Sequence, residues 1–110
     1  MGLFGFGKKK YDKNVTRDNE FLKDYAIKTN GLMLYVEENE KVKKELTALK
    51  DDFQYTVATD DHDAKGTEKK IRKDFDALTS TLQQSDWEES DVLTLIRGLR
   101  RYIIEISSMR

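Results

Sequence analysis

The sequence predicts an all-α protein, a small antiparallel helical bundle made of three long helices and a short N-terminal helix. Its 110 residues include no proline, so no residue removes a backbone donor from a helix or clashes with the preceding turn. Hydrophobic residues make up 37% of the chain and recur at helical spacing along most of it, as expected for helices that bury one face. A chain of this length forms one domain with one core.

The first helix is predicted near residues 17–30. We expect it to end at Asn30-Gly31, because glycine readily takes the left-handed conformation that closes a helix. The alternative is a break near residues 37–39, since Leu32 and Val36 extend the apolar face of the first helix beyond the glycine. A single helix from residue 17 to 58 is excluded in either case, because it would be roughly 60 Å long, too long for a compact domain of this size.

The three long helices are predicted near residues 33–58, 62–84 and 86–108, joined by short connections. Narrow apolar stripes mark the first two, and Ser85-Asp86-Trp87-Glu88 matches a capping box at the start of the last. The residues expected to form the core share these stripes. They are Tyr25, Leu32, Val42, Leu46, Leu49, Phe53, Ile71, Phe75, Leu78, Leu82, Val92, Ile96, Leu99, Ile103 and Ile106.

The last helix has an unusually wide apolar face. At about 100° per residue, its hydrophobic positions cover an arc of roughly 220°, twice the width of an ordinary surface helix. More than one neighbour must cover such an arc, and we expect part of it to stay exposed for a partner. The candidate partner interface consists of Leu93, Arg97, Gly98, Arg101 and Ile104.

The chain is predicted to divide into a flexible glycine- and lysine-rich tail, residues 1–14, and a single helical-bundle domain, residues 15–110. The start of the tail, MGLFGFGKKK, places apolar residues before basic ones, which is the reverse of a secretory signal. Apolar side chains and lysines together can contact an anionic lipid surface. The candidate membrane-contact residues are Leu3, Phe4, Phe6, Lys8, Lys9 and Lys10.

Catalytic and metal-binding patterns are missing from the sequence, and we predict neither an enzyme nor a cofactor. The chain has no cysteine and one histidine, His62, which has no second histidine at ligand spacing. Asp61, Asp63 and Gly66 match three positions of a calcium loop, but Lys65 and Arg72 stand where that loop needs acidic ligands. Residues 59–63 are therefore interpreted as a solvated connector, and no catalytic, cofactor-binding or metal site is predicted.

The leading hypothesis is a non-catalytic interaction module that associates with itself or with another helical protein through the last helix. Peripheral association with anionic lipid through residues 1–10 is the alternative, and a nucleic-acid accessory role is the second alternative. A net charge of -1 with acids in every helix disfavours nucleic acid. No small-molecule substrate is predicted. We expect a cytoplasmic location, at the inner face of the membrane if the tail contacts lipid.

Overall fold

The computed structural model describes residues 19–57 and 65–108, and all regular structure within these ranges is helical. The all-α class is therefore confirmed for the described part of the chain. The first helix, α1, includes residues 19–31 and leads into a short 3-10 helix. The remaining elements are the 3-10 helix Leu32–Tyr35, α2 Glu40–Tyr55, α3 Lys65–Leu82 and α4 Glu89–Ser108. The predicted tail, residues 1–14, lies outside the described residues.

Helix α4 packs against α2 through an apolar seam that two ion pairs flank. Near the start of both helices, Lys41 Nζ lies 3.9 Å from Glu89 Oε2. Further along both helices, Arg100 Nε donates a 2.6 Å hydrogen bond to Asp52 Oδ2. The two contacts follow the same order along the chain, so the beginning of α2 lies beside the beginning of α4.

Helix α4 also packs against α3, on the opposite flank. Thr67 Oγ1, at the start of α3, donates a 3.5 Å hydrogen bond to Glu105 Oε1 near the end of α4. The middle of each helix meets the other where Asp74 approaches Gly98. These contacts follow opposite orders along the two helices. Antiparallel packing of the complete set of helices stays a prediction.

Helix α1 joins the bundle through aromatic side chains. The ring of Tyr25 lies 5.7 Å from that of Phe53 on α2 and 5.0 Å from that of Phe75 on α3. Phe21, one turn earlier, lies 4.7 Å from Tyr25. Rings at these distances stabilise a fold beyond the apolar area that they bury. We call these four residues the aromatic cluster, and it ties the first three helices together.

Every residue that the sequence stripes assigned to the core is buried. Burial on one helix face follows directly from the helical period, so the stripes were sufficient to identify these positions. Four further buried hydrophobic residues had not been placed in the core. They are Leu22, Ala26, Val36 and Leu93.

The predicted break at Asn30-Gly31 is wrong in its location and mechanism. Gly31 has φ -65° and ψ -21°, a right-handed conformation, and the chain continues into the 3-10 helix. The direction changes at residues 36–39, as in the alternative prediction, and α2 starts at Glu40 instead of residue 33. Asn39 caps α2, because its side chain accepts a 3.0 Å hydrogen bond from the amide of Val42. Val36 is buried, so the chain stays against the core up to this residue and does not turn away at Gly31.

The start of α4 also differs from the prediction. The helix begins at Glu89, and residues 85–86 form a turn, so Ser85 does not occupy the capping position of a capping box. The amide of Val92 donates to the carbonyl of Glu88 at 3.2 Å, which places the first helical hydrogen bond there. Trp87, just before the helix, is partly buried against the core.

Candidate interaction surface on the last helix

Two neighbouring helices account for most of the wide apolar face of α4. Arg100 lies on the α2 flank, where it contacts Asp52 at 2.6 Å and Glu45 at 3.8 Å. Tyr102 lies on the α3 flank, where Lys70 Nζ is 5.7 Å from the centre of its ring. The apolar residues between these two flanks are buried in the core. The width of the face therefore reflects packing against α2 and α3, and only its edge is open to a partner.

Leu93 does not belong to the exposed edge, and its placement there was wrong. It retains only 5% of its surface and packs in the hydrophobic core. The reason is the position of α2: Glu89, one turn before Leu93 on the same flank, pairs with Lys41 at the start of α2. Helix α2 therefore covers this part of α4.

Ile104 is the exposed apolar residue of α4, with 60% of its surface open. It lies one turn beyond Arg100, which is paired with Asp52 only three residues before α2 ends at Tyr55. Helix α2 ends too early to cover Ile104. The same flank of α4 is thus buried at its beginning and open near its end.

Two arginines accompany Ile104 on the outside of α4. Arg97 lies two turns before Ile104 and Arg101 lies one turn before it, which places all three on one side of the helix. Both arginines are exposed and form no ion pair with any residue in ranges 19–57 and 65–108. We refer to Arg97, Arg101 and Ile104 as the α4 face.

Arg100 differs from these two arginines because it pairs with acidic residues of α2 and so stabilises the packing of α4 against α2. Its hydrogen bond to Asp52 is the main cause that raises the pKa of the guanidinium, and burial opposes that shift. The arginine therefore stays charged and bridges α4 to two carboxylates of α2, Glu45 and Asp52. Because both of its ion pairs are within the fold, Arg100 is not part of the α4 face.

Gly98 is also separate from the α4 face. It is six residues before Ile104, which places the two about 120° apart around the helix. Gly98 is half-buried on the α3 flank, and a Cβ atom built on it would lie 4.0 Å from Asp74 Oδ2. The five residues of the candidate interface are therefore not one patch, and three of them remain together.

The other predicted features fall largely outside the described residues. This holds for the membrane-contact residues of the tail and for the connector that contains His62, so the structure places neither. Among the described residues, no group of three or more histidine, aspartate or glutamate side chains is arranged to hold a metal ion. Within the same ranges, no helix has the length and hydropathy needed to cross a membrane.

The sequence patterns did not predict a groove that the structure shows between α1 and α2. It has a volume of about 550 Å³, and the exposed side chains of Ile27 and Tyr55 line it.

Comparison of the chain with protein-family models, with curated proteins and with solved structures gave no match. The function of the protein must therefore be inferred from its own surfaces.

Proposed function

We propose that this protein is a non-catalytic helical-bundle interaction module that associates with a protein through the α4 face. The observation that carries the proposal is the exposure of Ile104 beside two arginines that have no acidic partner among the described residues. Exposed isoleucine alone is common on protein surfaces. Its position beside Arg97 and Arg101 is more informative, because arginine is enriched at protein interfaces and pairs with carboxylates in a fixed geometry.

The α4 face has the composition of a small interface centre. An apolar side chain can enter a pocket of a partner, and the two guanidinium groups can pair with carboxylates around it. The matching acidic surface can belong to another protein or to a second copy of this chain, which carries 21 acidic residues. Self-association is the simplest case to test, since it needs only the purified protein.

The test of self-association is sedimentation of the wild-type protein over a wide range of concentrations. Ile104→Glu introduces a charge into the centre of the α4 face and should convert an oligomer to a monomer. The matched control is Leu34→Glu, which changes another exposed aliphatic residue, on the 3-10 helix. At protein concentrations low enough for the wild type to be monomeric, both variants should keep its melting temperature, because both positions are on the surface. A wild-type protein that stays monomeric at the highest concentration would eliminate self-association.

A partner of different sequence is tested by affinity capture from the source cells with the same three proteins and with the double variant Arg97→Glu/Arg101→Glu. A true partner should be captured by the wild type and by Leu34→Glu but lost with Ile104→Glu and with Arg97→Glu/Arg101→Glu. The expected loss is large, because the arginine-to-glutamate variant places like charges opposite each other at the interface, which costs several kcal/mol. If the protein is monomeric and no captured protein depends on these positions, the proposed function is wrong.

A further inference from the structure

The groove between α1 and α2 combines apolar side chains with two lysines. Ile27 and Tyr55 expose 72% and 71% of their surfaces at the groove. Lys23 enters from α1 and Lys50 from α2, so each wall contributes one positive charge. Two large hydrophobic residues exposed at one groove are more informative than scattered single ones, because they leave a contiguous apolar surface in water.

The described residues that line this groove carry positive charge only, whereas the chain as a whole is nearly neutral. The chain as a whole has 20 basic and 21 acidic residues. Among residues 19–57 and 65–108, no acidic residue lines the groove, and neither lysine forms an ion pair with a residue in these ranges. Lys28, on the same helix as Lys23, shows the usual pattern, since it lies 3.6 Å from Asp24 one turn away. The groove is therefore complementary to a ligand that is both apolar and negatively charged.

The exposure of the side chains that line the groove favours a peptide ligand over a small molecule. Small-molecule sites enclose most of the ligand surface, whereas Ile27 and Tyr55 remain mostly open to solvent. A helix or an extended segment lying along the groove could cover both side chains at once. The amide groups of Asn30 and Gln54, which also line it, can bond to polar groups of such a segment. The tail of this chain fits poorly, because Lys8, Lys9 and Lys10 would bring further positive charge.

We propose that the α1/α2 groove binds an acidic amphipathic segment of a partner protein. An apolar side chain of the segment packs between Ile27 and Tyr55, and carboxylates on either side of it pair with Lys23 and Lys50. This surface is formed by α1 and α2 and does not include the α4 face. The inference is thus independent of the proposed function.

The test begins with a displayed library of random peptides selected on the full-length protein. Peptides that bind should be enriched in Asp and Glu beside an aromatic or aliphatic residue. Synthetic versions are then titrated against Lys23→Glu/Lys50→Glu and against the control Lys44→Glu/Lys69→Glu, which makes the same change in net charge at two exposed sites away from the groove. The groove variant should weaken binding at least about tenfold, and the control should change it little. Added salt should weaken binding to the wild type.

Three further measurements make the result decisive. Amide chemical-shift changes on peptide binding should centre on residues 23–30 and 50–55, and thermal unfolding should be the same for both lysine variants. Ile104→Glu should bind the peptide as the wild type does, which separates this site from the α4 face. Selection of no acidic peptide, or equal binding by both lysine variants, would overturn the proposal. So would loss of binding to phosphatidylserine vesicles in the groove variant without any peptide binding, since lipid would then be the ligand.

Discussion

Tyr25 places a phenol where three helices meet, and its titration reports on that environment. The side chain is buried, and burial is the main cause that raises its pKa above the ordinary value of 10.0. Lys28 opposes the shift and Asp76 reinforces it, so the neighbouring charges partly cancel. Desolvation of the tyrosinate therefore decides the direction.

The raised pKa predicts a loss of stability at alkaline pH. Below pH 10.0, Tyr25 is neutral in both the folded and the unfolded chain and contributes its full packing. Above that pH the unfolded chain loses the phenolic proton first, so the unfolded state gains relative stability until the folded pKa is passed. We expect Tyr25→Phe to remove this part of the alkaline destabilisation. The measurement is the melting temperature of both proteins from pH 8 to about pH 11. Parallel curves for the two proteins would contradict the raised pKa.

Gly98 offers a second test at the level of one residue. A glycine within a helix costs about 1 kcal/mol relative to alanine, and the atom of a neighbouring helix that the added methyl group would meet is Asp74 Oδ2, at 4.0 Å. We therefore expect Gly98→Ala to raise the free energy of unfolding by up to about 1 kcal/mol, measured by urea denaturation. Association through the α4 face should be unchanged, because Gly98 faces α3. Weaker association with unchanged folding would instead place Gly98 in the interface.

At the level of the helices, regular burial was predictable from the sequence and helix ends were not. The stripes of α2 and α3 repeat every three or four residues, and a helix with that pattern can bury only one face. Ends depend on competition between local preference and packing. Gly31 remains helical although glycine often ends helices, and Ser85 lies in a turn before Trp87, which packs against the core. Such competition involves residues distant in the chain, which a local pattern does not contain.

Arg100 links α4 to α2 through two acidic residues, and single substitutions can test this contact. Asp52 accepts a 2.6 Å hydrogen bond from Arg100, whereas Glu45 lies 3.8 Å from the same guanidinium. Both acids are partly exposed, which limits the contribution of each pair. We expect Asp52→Asn to lower the free energy of unfolding by about 1 kcal/mol and Glu45→Gln to lower it by clearly less. Urea denaturation of the two variants measures both, and an equal effect would mean that the short hydrogen bond has no special weight.

At the scale of the whole molecule, the candidate sites depend on which helices meet and where they stop. Leu93 and Ile104 lie on the same flank of α4 and are equivalent in its pattern. Leu93 is buried because α2 starts beside it, and Ile104 is exposed because α2 ends before reaching it. The α1/α2 groove has a weak signal in the sequence: Ile27 and Tyr55 lie off the apolar stripes of their helices. Their meeting at one groove requires the pairing of α1 with α2.

The aromatic cluster joins α1, α2 and α3, and we expect it to make these helices unfold as one unit. Tyr25, Phe53 and Phe75 come from three different helices, and Phe53 is fully buried. Trp87, the single tryptophan of the chain, is on the connection before α4 and outside the cluster. Its fluorescence therefore reports on a different part of the fold from the one that the cluster holds together.

We expect Phe53→Ala to lower the free energy of unfolding by about 3–5 kcal/mol, a large part of the total for a domain of this size. Phe21→Ala is the matched control: it removes a ring that is only partly buried and should cost clearly less. Urea unfolding is followed by tryptophan fluorescence and by far-ultraviolet circular dichroism on the same samples. If the cluster couples the helices, the two probes give the same midpoint in the wild type, and Phe53→Ala shifts both together. A fluorescence midpoint that stays at its wild-type value while the dichroism midpoint falls would show that α4 and its connection unfold separately from α1.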